Sequence, residues 1–138
     1  MKEKFTEEIW NGIIGHTKPL GLDGVQILEV KPGYCNLEAY IDESNVNFYG
    51  FAHGGILFTL CDSASGIATY AYGVNNVTLD SSISYLKSVK TGKINIICAN
   101  IHKGRKTAVN KVNIFNEEGE LCTTSSFTMY LKGDIDNK

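Results

Sequence analysis

What this sequence lacks narrows its class first. It has no basic stripe: 13 Lys and Arg against 15 Asp and Glu leave a formal net charge of −2, which gives no electrostatic reason to expect a nucleic-acid partner. It has no apolar run fit for a membrane span, because residues 51–74 are broken by His53, Asp62 and several Gly and Ser residues. Its only two prolines, Pro19 and Pro32, both stand in Gly-containing loop segments. Its four cysteines, Cys35, Cys61, Cys98 and Cys122, include no CxxC pair, so buried thiols are expected rather than a disulfide frame or zinc site. The opening "MKEKFTEEIWNGII" lacks the continuous apolar core of an export signal. Reduced thiols and a cytoplasmic location are the expectations. There is no GxSxG elbow, which argues against an α/β-hydrolase triad. His16 and His102 have no metal-ligand partner at suitable spacing, so no metal site is expected.

What is present fits one domain spanning 1–138, a length too short for two cores. Phe5, Ile9, Trp10 and Ile13 predict an amphipathic helix over residues 3–14, closed by the Gly/Pro loop "GHTKPLGLDG". Residues 1–19 thus read as an N-terminal helix and loop, and 133–138 as a polar tail. "VQILEV" and "YCNLEAYI" flank "KPG", a turn signal, and predict a hairpin; Cys35, Leu37, Ala39 and Ile41 alternate with polar neighbours. From Gly54 to about Tyr72 the residues are small or apolar on nearly every side, as in a helix buried all round. Gly73 with "VNN" is expected to end it. "VTLDSSISYLKSV", "INIICANIH", "TAVNKVNIF" and "LCTTSSFTMYL" then read as four long strands, with connectors that predict an antiparallel meander. The expected fold is α+β, with about six antiparallel strands in a curved sheet wrapped round one long helix.

The chemistry concentrates in "FAHGGILFTLCDSASG", residues 51–66. His53-Gly54-Gly55 opens the long helix, where the first amides have no internal acceptor and the dipole is positive. Glycine lets a ligand oxygen approach that backbone, making an oxyanion or carbonyl site; two glycines also simply permit a tight turn. Asp62 sits among Leu57, Phe58, Leu60, Cys61 and Ile67. Charged side chains are seldom buried unpaired, so it either faces a cleft as a general base or nucleophile, or bonds a neighbouring loop. Gly54 and Asp62 are eight positions apart, roughly 12 Å along one helix axis at ~1.5 Å per residue. An attacking group and an oxyanion donor must both come within about 3 Å of one carbonyl. One helix does not reach; two antiparallel helices across a two-fold axis do.

These residues resemble a known family. "NFYGFAHGGILFTLCDSASG" followed by "VTLDSSISYLKSVKTGKI" is similar to the hotdog-fold thioesterases, in the PaaI-like (phenylacetate-degradation type) branch of the 4-hydroxybenzoyl-CoA thioesterase superfamily. The resemblance covers about Leu20 to Leu131. It implies a helix wrapped by a curved sheet, dimers often paired into tetramers, and acyl-CoA hydrolysis at the dimer interface. CoA enters only as part of the substrate, so no cofactor is implied. By position, Asp62 matches the catalytic carboxylate, as general base or nucleophile, and Gly54 matches the amide that polarises the thioester carbonyl from the partner subunit. Asn47 matches an Asn that holds thioester or water. His53 and Gly55 are candidate substrate-binding residues at the same turn, with His53 expected to order the turn more than to do chemistry. Thr78 stands where some relatives carry a Ser that assists the water; its hydroxyl is retained, but β-branching restricts it. "HKGRKTAV" corresponds to a CoA-contacting segment, so Arg105 and Lys106 are the candidate phosphate-binding residues, with Lys87 and Lys90 behind them. A solvated hairpin tip has the same composition. The second reading is a non-catalytic acyl-CoA or small-ligand binding protein, distinguished by binding without thiol release. Hydratase chemistry on the same fold would want a His paired with the Asp, and the helix lacks that spacing.

Overall fold

A computed structural model of the protein describes residues 7–9, 11 and 25–135. Residues 7–9 and 11 are helical and Ile9 is buried, as the amphipathic pattern requires. Phe5, Trp10, Ile13 and the loop carrying His16 lie outside the described residues.

Six strands and one long helix follow in the order β1 (Gln26–Lys31), β2 (Tyr34–Ile41), α1 (Gly54–Tyr70), β3 (Val74–Tyr85), β4 (Gly92–Lys103), β5 (Thr107–Phe115) and β6 (Leu121–Asp134). They form one antiparallel sheet in the order β1-β2-β4-β5-β6-β3, with α1 against it. The β1–β2 turn falls at Pro32-Gly33, where Gly33 takes φ +80° and donates its N–H to the Ala68 carbonyl at 2.9 Å. Only glycine adopts that backbone freely, and here it also ties the hairpin to the helix.

Two expectations need correction. The meander holds for β4, β5 and β6 only. β3 pairs with β6 at the far edge rather than with β4. The chain returns from β3 through residues 86–91, too long for a tight hairpin. Leu86 and Lys87 both donate to the Cys122 carbonyl at the start of β6, and buried Val89 anchors the crossing. The helix also ends sooner, at Tyr70, with Gly73 at φ +89° making the turn, and "VNN" already belongs to β3. At the other end β6 runs on to Asp134, and Ile135 is buried, so part of the segment read as a polar tail is structured.

The core lies between α1 and the concave sheet face. Leu57, Leu60, Cys61, Ala64, Ile67 and Ala68 meet Leu37, Ile41, Ile94, Ile96, Val112, Ile114 and Phe127. Burial of each large side chain stabilises by ~1.5–3 kcal/mol, and truncating fully buried Leu60 to Ala would cost about 2–5 kcal/mol. All four cysteines are free and buried, as expected.

The helix is not buried all round. Gly55 and Thr59 are exposed, and Asp62 and Gly66 only half-buried. At spacings of four, three and four these make a single stripe. The described residues leave that stripe uncovered, beside edge strand β3, where Val77, Leu79 and Tyr85 are 46, 58 and 51 % exposed.

Candidate functional site

Asp62 lies on the open stripe because the opposite side of α1 is locked. Asn110 of β5, almost fully buried, donates to Ser65 Oγ at 2.8 Å and Thr69 Oγ1 at 2.9 Å. Its own Oδ1 accepts from Asn100 at 2.9 Å. A satisfied polar cluster of this kind fixes the roll of the helix, and with it the direction of Asp62, less than one turn away.

The carboxylate meets β3. Thr78 Oγ1 donates to Asp62 Oδ1 at 2.6 Å, a short charge-assisted bond. The Met129 sulfur, 3.8 Å from the same hydroxyl, backs it on β6. Asp62 Oδ2 has no partner among the described residues and is left for a water or a ligand. Two residues from the sequence-derived set, Asp62 and Thr78, are thus brought into direct contact.

The start of α1 forms a second cluster. His53 is exposed and makes no side-chain cap; its carbonyl accepts from Ile56 at 3.1 Å and Leu57 at 3.3 Å. It orders the turn through its backbone. The Gly54 and Gly55 amides, at the first helical positions, have no intrahelical acceptor. Asn47 shapes the approach: its Oδ1 accepts from Tyr49 N at 2.8 Å and Phe51 N at 3.1 Å. Its backbone bonds Phe51 and Gly50, and Val46 bridges to Ala52. This closed loop delivers the chain to Gly54.

Tyr85, at the end of β3, completes that cluster, and the sequence did not single it out. Its hydroxyl donates to the Gly54 carbonyl at 2.8 Å. Thr78 and Tyr85 are an odd number of positions apart, so a regular strand would put them on opposite faces. The register shift between Thr78 and Asp80 makes Leu79 a bulge. That extra residue brings both side chains to the helix side.

Arg105 and Lys106 are exposed at the β4–β5 tip. The Lys106 carbonyl accepts from Leu131 N at 2.8 Å, and Leu131 is opposite Asn76, so the tip lies at the Thr78 end of β3. Among the described residues, the side-chain hydrogen bond to Asp62 comes from Thr78 and not from this tip. Lys87 sits at the other end, paired with Glu120 at 3.8 Å. The groove of about 550 Å³ that it lines with Lys90 and Lys93 carries Glu117, Glu118 and Glu120 as well. Those charges offset one another, which leaves little attraction for a polyphosphate. Among the described residues, no group of three or more His, Cys, Asp or Glu could hold a metal ion. No helix there is long and apolar enough to cross a membrane.

A curved antiparallel sheet holding one long helix, with a carboxylate on the helix's open stripe, defines a hotdog-class α+β protein. The family comparison agrees: residues 49–123 match the thioesterase superfamily. The chain belongs to that superfamily and is, by class, a thioester hydrolase. Human acyl-coenzyme A thioesterase 13 is 30 % identical over 114 residues, covering 80 % of this chain and 81 % of that one. A hypothetical thioesterase protein from Streptococcus pneumoniae TIGR4, solved with coenzyme A, is 36 % identical with a TM-score of 0.84, covering 87 % of this chain and 94 % of that one. The pneumococcal protein has also been solved with one aspartate and with one threonine replaced by alanine. Those two positions are 16 apart, the separation of Asp62 and Thr78. The PaaI protein of E. coli, 20 % identical with a TM-score of 0.84 over 94 % of this chain and 97 % of that one, shares the fold.

Proposed function

We propose that the protein hydrolyses acyl-CoA thioesters to a free acid and CoA, with each site assembled from two copies of the chain. The observation that carries this reading is the Asp62–Thr78 hydrogen bond on the side of α1 that the other described residues leave open. Thr78 holds one carboxylate oxygen, and the other is left to work on water or on the carbonyl carbon. In the general-base route a water oxygen bonds the carbonyl carbon while Asp62 takes its proton. The carbonyl oxygen gains negative charge, which the partner subunit's Gly54 amide stabilises. The C–S bond then breaks, the sulfur takes a proton, and acid and CoA leave. In the nucleophilic route Asp62 itself bonds the carbonyl carbon, the C–S bond breaks and CoA leaves as its thiolate, which takes a proton; water then cleaves the anhydride to the free acid and the Asp62 carboxylate.

The two-copy arrangement follows from distance and from the unpartnered edge. Gly54 and Asp62 of one helix stand roughly 12 Å apart along the axis, too far for one carbonyl. β3 is a 12-residue edge strand with exposed Val77 and Leu79, and such edges are usually covered or paired. Antiparallel pairing of β3 with a second copy runs the two α1 helices antiparallel and carries Gly54 of each toward Asp62 of the other. Asn47 and His53 then shape the entry to the amide, and Arg105 and Lys106 attract the CoA phosphates at the pocket mouth.

The test is thiol release from short, medium, long and aromatic acyl-CoAs. With one good substrate, Asp62→Asn is expected to lower kcat by about 10²–10⁴-fold, with an unchanged circular dichroism spectrum. Undiminished hydrolysis in a folded Asp62→Asn protein contradicts the reading. Tight acyl-CoA binding by the wild type without thiol release points instead to a binding protein.

A further inference from the structure

We infer that Tyr85 is a positioning residue for the oxyanion-binding amides, holding and polarising the Gly54–Gly55 peptide through its hydroxyl. The inference rests on the thioesterase reading above and adds to it a residue and a second amide. Three observations carry it. The Tyr85 hydroxyl donates to the Gly54 carbonyl at 2.8 Å. Its ring lies over the Gly54 Cα, so that a Cβ built there would stand 3.2 Å from the ring carbon bearing the hydroxyl. And the bulge at Leu79 turns this one strand so that it meets Asp62 with Thr78 and Gly54 with Tyr85.

The chemistry follows from the peptide group. An amide whose carbonyl accepts a hydrogen bond becomes a stronger N–H donor, because the two ends share one resonance system. The Gly54 carbonyl belongs to the same peptide as the Gly55 N–H, so Tyr85 strengthens Gly55 as a donor. The His53 carbonyl accepts from Ile56 and Leu57, which does the same for the Gly54 N–H. Two neighbouring amides are therefore prepared by their own carbonyl partners. They also sit at the positive end of the helix. Unlike Gly54, Gly55 is exposed and has nothing within 4 Å of where a Cβ would be, so the space beside its Cα is open to a ligand.

The bond is held from the strand side as well. Immediately after Tyr85, Leu86 and Lys87 both donate to the Cys122 carbonyl, at 2.8 and 3.0 Å. That fixes the end of β3 against β6. The titratable group bearing on the Tyr85 hydroxyl is the Cys61 thiol of α1, and Thr123, across from Tyr85 on β6, is uncharged. Burial raises the Tyr85 pKa above its ordinary 10.0, so at neutral pH the hydroxyl keeps the proton it donates.

The experiment is steady-state acyl-CoA hydrolysis by full-length Tyr85→Phe and by protein carrying 3-fluorotyrosine at position 85. Tyr85→Phe keeps the ring and is expected to lower kcat about tenfold with KM within about twofold, less than the 10²–10³ of losing an oxyanion donor outright. The fluorinated hydroxyl still donates; kcat is expected to recover near neutral pH, with the alkaline limb of its profile moved to lower pH. That limb is expected to be missing in Tyr85→Phe. Values of kcat and KM within twofold of wild type for Tyr85→Phe overturn the inference. If that variant fails to fold, an alkaline limb that the fluorinated protein leaves unmoved overturns it instead. Asp62→Asn, run alongside, separates the two levels. A fully active Asp62→Asn defeats the thioesterase mechanism; an inactive one beside an unimpaired Tyr85→Phe defeats only the role of Tyr85.

Discussion

Thr78 donates a 2.6 Å hydrogen bond to Asp62, joining an edge strand to the open stripe of the central helix. A threonine that only filled space would be replaceable by valine, its near-isostere. Because the hydroxyl orients the carboxylate, Thr78→Val is expected to lower kcat for acyl-CoA hydrolysis about tenfold or more, while Thr78→Ser retains most of it. Paired kcat measurements on the two variants check this. Equal activity in Val and Ser would remove the hydroxyl from the mechanism.

The β4–β5 tip makes a separate prediction. Arg105→Glu with Lys106→Glu reverses two exposed charges at the Thr78 end of the sheet. KM for acyl-CoA is expected to rise several-fold at low ionic strength and to converge on wild type at high salt, with kcat unaffected. Reversing Lys87 and Lys90 is expected to do less, because Glu117, Glu118 and Glu120 share their groove. A salt titration of KM for both double variants distinguishes the two ends.

Buried thiols tie the stability of the fold to alkaline pH. Burial pushes Cys61 from 9.0 to about 12, and Cys98 well above 9.0, the latter first through its hydrogen bond with Cys35 and then through burial. A folded pKa above the unfolded one means that the native state keeps protons the unfolded chain has already shed. This stabilisation is complete below pH ~9 and is lost as pH rises toward 12. Thermal melts are expected to fall steadily across that window. In the native protein at neutral pH the four cysteines, all buried, are expected to resist thiol reagents until denaturant is added. Rapid labelling of the native protein would contradict the packing.

Much of this fold is legible in residue order, for a physical reason. Period-two alternation at Cys35, Leu37, Ala39 and Ile41 records one buried sheet face, and it recurs as buried positions in the structure. The helix start is legible because His-Gly-Gly is local chemistry. What is not legible is which strands pair. The pattern of β3 is the same whether its neighbour is β4 or β6, and only the crossing at Val89 decides. The Leu79 bulge is equally hidden, since one unpaired residue leaves no compositional mark. Without the bulge, Tyr85 would be assigned to the face opposite Thr78, which is why its bond to Gly54 escapes a reading of residue order. The small and apolar residues of the helix hide its open side in the same way. Gly55, Thr59 and Gly66 look like core small residues, yet they border Asp62 on a stripe that the described residues do not cover.

The central claim is that Asp62 and Gly54 act on one carbonyl from different copies of the chain, and a heterodimer tests it most directly. Gly54→Pro removes the amide proton at the first helical position, where proline fits and where His53, at φ −61° and ψ 136°, already has the backbone that must precede it. The Tyr85 ring must shift by a few tenths of an ångström to admit it. Asp62→Asn and Gly54→Pro homodimers are each expected to be nearly inactive. Co-expressed with different tags and purified as a heterodimer, they leave one site with both groups intact, so about half of wild-type kcat per dimer is expected. A heterodimer no more active than either parent would mean that each site lies within one chain, and would contradict the account.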